Sequence, residues 1–259
     1  MSVAHLPGMR DDLRDRISPE EWETRLELAR CYHLMARYRM TDLTATHVSM
    51  RVPGEEEHYL LNDARLLFQE TTASSLIKFD LDGKVVDGSE GPMNPAGFAI
   101  HSVVHRARPD ALCVMHTHTR AGCALGALDV ELKMINQINL IFHERIAYND
   151  YGFVEQVSDC DGFAEDLGDK PAMIMRNHGL LTCGRTIGEA FILMFYLDKA
   201  CEIQLDAMAV GTPLLEPQQE VIAKAAEGWW NWDGDAPFGQ RNWEALVREL
   251  DRDGRDYAR

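Results

Sequence analysis

Leu112-Cys113-Val114-Met115-His116-Thr117-His118-Thr119 is an apolar run that ends on two histidines. Leu112–His116 reads as a buried strand, and residues two apart on a strand point to the same face, so His116 and His118 converge. Two imidazoles at that spacing suit a divalent metal. Alone the pattern is weak: ten histidines in 259 residues produce such pairs by chance, and hydrogen bonding at a strand edge accounts for one equally well. A second stretch shifts the balance. Ala172–Met175 reads as another interior strand, Asn177-His178-Gly179 as a turn, and Leu180–Thr182 continues extended. His178 then stands at the carboxyl end of an interior strand, the rim where α/β pockets lie. Three histidines from two strand ends leave coordination positions open for water or substrate, as a catalytic site does and a closed structural site does not.

Outward from these strands, helices and hairpins mix. Ser18-Pro19-Glu20-Glu21 opens a helix with Ser18 as N-cap and Glu21 closing a capping box, and Trp22, Leu26, Ala29, Tyr32 or His33 and Ala36 carry it to about Arg39. From Thr46 to Val86 the period changes toward two, with strands at His47–Arg51, His58–Leu61 and Leu76–Phe79 and a turn at Asp80–Lys84 that pairs back. Pro95 starts a helix over Ala96–Ala107, and an alanine-rich helix spans Arg120–Leu128. Thr186 caps a long helix with Glu189 at its third position; a Trp-rich turn (Trp229, Trp230, Trp232) and an amphipathic helix near Trp243–Leu250 complete the chain. This pattern predicts an α/β/α sandwich with a central mixed, largely antiparallel sheet. Residues 1–17 read as an N-terminal arm, 18–215 as one domain and 216–259 as a C-terminal tail.

Composition narrows the function classes. Acidic residues outnumber basic ones 42 to 26, a net charge of −16 that repels phosphate backbones and anionic lipid, so neither nucleic acid nor a membrane is expected as a partner. The longest apolar run, about Ala190–Leu197, is too short for a membrane span. The first residues do not resemble a secretory signal, and six scattered cysteines without a C-x-x-C pair read as reduced thiols of a cytoplasmic protein.

From about Glu20 to Ala209 the sequence resembles the class II aldolase/adducin family. The resemblance is carried by Glu70-Thr71-Thr72-Ala73-Ser74-Ser75-Leu76, by Asn94-Pro95-Ala96-Gly97-Phe98 leading to His101, and by Arg108-Pro109-Asp110. It continues in Val114-Met115-His116-Thr117-His118-Thr119 and Arg176-Asn177-His178-Gly179-Leu180-Leu181-Thr182. It implies that His116, His118 and His178 bind a divalent metal, commonly zinc, with manganese or Fe(II) as alternatives. It also implies the class II aldolase fold and a homotetramer with active sites between subunits, the tail packing at an interface. Adducin-like cytoskeletal members lose these ligands; this chain keeps all three, which argues for an enzyme.

The departures bear on substrate. Phosphosugar aldolases of the family carry a glutamate acid/base where this chain has Gly97, and phosphate-gripping serines where it has Pro95-Ala96; Ala64-Arg65 roughly replaces their upstream Thr-Gly turn. A sugar phosphate is therefore not expected. A small carboxylic acid is, cleaved at a C–C bond by decarboxylation or retro-aldol reaction, with Arg65 as carboxylate partner (or as an ordinary loop arginine) and Gly97 and Gln137 at the substrate. Tyr257, in a tail that reaches a neighbour's pocket in this family, and His143 are the candidate proton carriers, with Tyr148, Tyr151 and Glu70 behind them. His101 and His105 share a helix face and read as structural, His101 bordering the site. The alternatives are an iron-dependent oxygenase of an aryl ketoacid and a non-catalytic, adducin-like oligomeric scaffold.

Overall fold

Ser18 opens the first helix, α1 (Pro19–Arg37): its hydroxyl accepts the Glu21 N–H at 3.0 Å, and Pro19 takes a position whose N–H has no helical partner. Glu21 does not close the expected capping box. Its carboxylate accepts from Arg25 and Lys78 instead, two cations that are themselves largely buried. The computed structural model from which this geometry is read describes residues 10, 12–150, 152, 154, 156–254, 257 and 258, so most of the 1–17 arm lies outside it.

Strands β1 (His47–Val52), β2 (Glu55–Leu61) and β3 (Ile77–Asp80) form an antiparallel meander, and Val85 folds back onto Phe79 as the turn signal predicts. Helix α2 (Pro95–Ala107), strand β4 (Cys113–Thr117) and helix α3 (Arg120–Gly126) follow. Next come β5 (Ile146–Asn149), α4 (Phe163–Leu167), β6 (Ala172–Met175), β7 (Gly179–Gly184), α5 (Ile187–Ala209), α6 (Gln219–Trp230) and α7 (Gln240–Arg252). The strands make one sheet in the order β3-β2-β1-β4-β7-β6-β5, in which only β5 and β6 run parallel. The expected mixed, largely antiparallel sheet is borne out.

Alternation along the central strands divides the core. Met115, Ile174 and Leu180 point into a layer with Tyr32, Leu125 and Phe191 of α1, α3 and α5, whereas Val114, Met173 and Leu181 point to Ile100 of α2 and Phe163 of α4. Strands buried on both faces must be apolar at successive positions, which is why β4, β6 and β7 read as continuous apolar runs.

Three elements escape the sequence reading: β5, the five-residue α4 and α6. Four-residue β5 is too short to show a period, and Trp229 and Trp230 belong to α6 rather than to a turn. Polar residues follow them directly, which hides the helix, but its Ile222 and Ala226 face is buried and Trp230 donates to the Ile141 carbonyl at 2.9 Å. The tail also covers its own chain: Trp243 packs on Phe191 and donates to Glu27 at 2.8 Å. No helix among the described residues is long and apolar enough to cross a membrane.

A buried ion network ties α1 to the sheet edge. Arg25, with no exposed surface, contacts Glu21 at 2.8 Å and Asp87 at 3.1 Å and donates to the Leu76 carbonyl at 2.7 Å. Arg25→Met removes the cation but leaves the carboxylates buried, and should lower unfolding stability by about 3–5 kcal/mol. Urea denaturation checks this; an unchanged midpoint would mean that Arg10 and Lys78 alone neutralise the cluster.

Candidate metal centre

Strand β4 lies between β1 and β7, with His116 opposite His47 on one side and Leu181 on the other. His118 follows just beyond the strand. The turn from β6 into β7 raises His178 over the same end, with Asn177 in the left-handed region at φ 54°, which asparagine tolerates better than most residues. Gly179 is required there: a Cβ would stand 2.3 Å from the Thr117 carbonyl oxygen and push β7 off β4.

The hydrogen bonds settle which ring nitrogens carry protons. His116 Nδ1 lies 2.9 Å from the Leu180 carbonyl, which only accepts, so Nδ1 is protonated and Nε2 keeps its lone pair. His118 Nδ1 donates to the Asp42 carboxylate at 3.1 Å, which aims its Nε2 at His116. Those two Nε2 atoms are 2.9 Å apart. The His178 ring is 4.7 Å from that of His116 and 5.0 Å from that of His118, and one ligand nitrogen from each histidine falls within 4.8 Å of the others. Burial pushes His116 well below the usual imidazole range, and burial with the neighbouring His118 brings His178 down to about 4. Three imidazoles whose ligand nitrogens converge in this way fit a divalent metal ion.

A second histidine group adjoins the first. His47 Nδ1 is 2.8 Å from His101 Nε2, His101 Nδ1 is 2.6 Å from Ser49 Oγ, Ser49 Oγ is 2.7 Å from His105 Nε2, and His105 Nδ1 is 3.1 Å from the Ala111 carbonyl. All four side chains are buried, and the His47 ring is 5.2 Å from that of His116. Gly97, the third residue of α2, lies under His47: a Cβ on it would be 2.5 Å from His47 Cδ2. His101 thus borders the site, and Gly97 leaves room there for an imidazole.

Several expected site residues lie elsewhere. Arg65 is held by Asp63 through contacts of 2.5 to 3.2 Å, so its guanidinium already has a carboxylate. Gln137 lines a cleft of about 520 Å³ with Leu140, Trp229 and Trp232, away from the three histidines. His143 precedes β5, whose start aligns with the start of β6, so it occupies the end of the sheet opposite His178. Tyr257 is buried in its own chain, its hydroxyl donating to Asp251 and accepting from Arg30 and its ring 5.5 Å from that of His33. The family resemblance implied that this tail tyrosine reaches a neighbour's pocket, but here α1 and α7 supply it with partners. Glu70 accepts the Leu67 N–H, Tyr148 accepts that of Leu132, and Tyr151 lies outside the described residues. His47, Ser49 and Asp42 escape sequence reading, for only the β1–β4 register brings the first two to the site.

Residues 26–205 match the Class II Aldolase and Adducin N-terminal domain, which contains all three histidines and His47. The chain belongs to the class II aldolase and adducin family. This class II aldolase-type chain is 39% identical, over the full length of both chains, to a provisionally named aldolase class 2 protein of Caulobacter vibrioides. It is 37% identical to rat alpha-adducin, with 94% of this chain spanning 36% of that protein. Among solved structures, an aldolase II superfamily protein of Pseudomonas syringae is 46% identical with TM-score 0.88, covering 95% of this chain and 99% of that one. An L-fuculose 1-phosphate aldolase of Glaciozyma antarctica is 27% identical with TM-score 0.80, covering 92% of each.

The neutral imidazoles of this class II aldolase-type site have a stability consequence. His178 is held near 4 and His105 near 3 against an ordinary 6.5, so between those values the unfolded chain binds more protons than the folded one. Stability of the metal-free protein should therefore fall as pH drops below about 6.5 toward 4. Thermal midpoints across that window check it, and a flat profile would contradict the neutral assignment.

Proposed function

We propose that this chain is a divalent-metal-dependent lyase that cleaves a C–C bond of a small carboxylic acid, by decarboxylation or retro-aldol reaction. The observation that carries this reading is the convergence of the Nε2 atoms of His116 and His118, 2.9 Å apart, with a ring nitrogen of His178. A bound divalent cation would polarise a substrate carbonyl or hydroxyl and stabilise the negative charge that develops as the bond breaks. The chain's own residues prepare for it: the Leu180 carbonyl and Asp42 orient the two rings, and burial keeps His116 neutral. Zinc suits three imidazoles best, with manganese or Fe(II) as alternatives.

The start of α2 argues against a phosphate at its N-terminus. The Asn94 side-chain oxygen accepts the N–H groups of Ala96 and Gly97 at 3.1 and 3.2 Å, so amides that a phosphate would seek are occupied. With Arg65 engaged by Asp63, recognition of the substrate carboxylate falls to other groups. Similarity to the Glaciozyma antarctica L-fuculose 1-phosphate aldolase favours a second reading, phosphosugar cleavage. The six unbridged cysteines support a cytoplasmic protein and the family a homotetramer, with residues 18–215 as catalytic domain and the 216–259 tail at an interface.

Protein purified without chelator should carry near-stoichiometric zinc by elemental analysis, and His116→Ala should lose both metal and turnover while remaining folded. L-fuculose 1-phosphate should not be cleaved at a useful rate; efficient cleavage would establish the second reading. Fe(II)-dependent oxygen consumption with an aryl ketoacid would replace the lyase with an oxygenase. No metal uptake from zinc, manganese or Fe(II) would leave an oligomeric scaffold.

A further inference from the structure

We propose that His47 is the proton acceptor of this site, its Nε2 held unprotonated beside Gly97 by a relay through His101, Ser49 and His105 that ends on the Ala111 carbonyl. The inference deepens the lyase reading and rests on it.

The direction of the relay follows from its last member. A carbonyl oxygen cannot donate, so His105 Nδ1 carries the proton shared with Ala111, 3.1 Å away. In the neutral ring His105 Nε2 is then an acceptor, and the Ser49 hydroxyl spends its single proton on it at 2.7 Å. Ser49 Oγ must therefore accept from His101 Nδ1 at 2.6 Å. His101 Nε2 is left as acceptor for His47 Nδ1 at 2.8 Å, and His47 Nε2 keeps its lone pair. Among the described residues nothing hydrogen-bonds that nitrogen. Burial with the nearby Arg51 pushes His105 down to about 3, which keeps the far end of the relay neutral and the proton order as stated.

Location supplies the rest. His47 and His116 are register partners on adjacent strands with rings 5.2 Å apart, yet His47 stands outside the three-histidine ligand set. Gly97 is what admits the ring, since a Cβ there would lie 2.7 Å from His47 Nε2. A bare nitrogen beside the candidate metal ligands favours a substrate whose reacting group is O–H or an acidified C–H. Combined with the carboxylic acid of the lyase reading, that requirement is met by a 2-keto acid with a hydroxyl two carbons beyond the carbonyl. In the retro-aldol direction the hydroxyl proton passes to His47 Nε2 as the oxygen's electron pair forms the aldehyde carbonyl and the C–C bond breaks, and the charged ring, disfavoured by its burial, does not accumulate. Its electrons pass to the 2-keto oxygen as an enolate, and the proton on His47 returns to the enolate carbon, so no oxidant or further reactant is needed.

The test combines a tautomer measurement with a proton-transfer measurement on the zinc-loaded full chain. Solid-state 15N NMR of histidine-labelled protein, with His47→Gln identifying the signal, should show His47 protonated at Nδ1 and bare at Nε2. Ser49→Ala should break that preference and populate Nε2–H. Exchange of pyruvate methyl protons in D2O, read by NMR, should fall about a hundredfold or more in His47→Gln, with zinc content unchanged. A proton on Nε2 in the parent protein overturns the relay. Undiminished exchange in His47→Gln overturns the acceptor role, and zinc loss in that variant would make His47 a ligand instead. The stated tautomer with no exchange by the parent protein overturns the keto-acid reading and leaves the relay standing.

Discussion

Three groups that can only accept hydrogen bonds decide where the protons lie at the open end of the sheet: the Leu180 carbonyl, the Asp42 carboxylate and the Ala111 carbonyl. Each takes the Nδ1 proton of one imidazole and so sets where its opposite nitrogen points. A charged imidazole in an apolar interior is strongly disfavoured, and burial accordingly depresses His47, His101, His105, His116 and His178. The chain thus concentrates neutral histidines, which destabilise it at low pH and suit it to hold a cation at neutral pH.

That arrangement requires close backbone approach at two places. Gly179 allows β7 to start directly against the Thr117 carbonyl, and Gly97 lets α2 descend onto His47. The cap at Asn94 fixes where α2 begins, which places His101 and His105, one turn apart, over His47 and Ser49 on the sheet beneath. A larger residue at Gly179 would part β7 from β4, and one at Gly97 would lift α2 off His47. At the other end of the strands Arg108, Lys170 and Arg185 are paired with Asp110, Asp169 and Glu189, a balanced surface with nothing comparable in chemistry.

Much of this was legible in sequence because its causes are local. Ser18, Pro95 and Thr186 act within a few residues of themselves, the apolar runs of β4, β6 and β7 report burial on both faces, and the H-x-H of β4 shares a face by the two-residue period alone. His178 could be placed at a strand end from its Asn-His-Gly turn. Those features predicted the sheet class and the three converging histidines.

Tertiary structure decided the remainder, since it depends on contacts between distant segments. Nothing near His47 in sequence distinguishes it from His58, which simply pairs with Glu55; only the β1–β4 register sets it opposite His116. Asp42 meets His118, Arg65 is taken by Asp63, and Tyr257 is enclosed by α1, each through a partner that periodicity does not reveal. The sequence by itself determined which residues carry ligating nitrogens and on which elements. Which nitrogen of each ring is free was left to the fold, because a proton's position depends on the acceptor that packing brings to the other side of the imidazole.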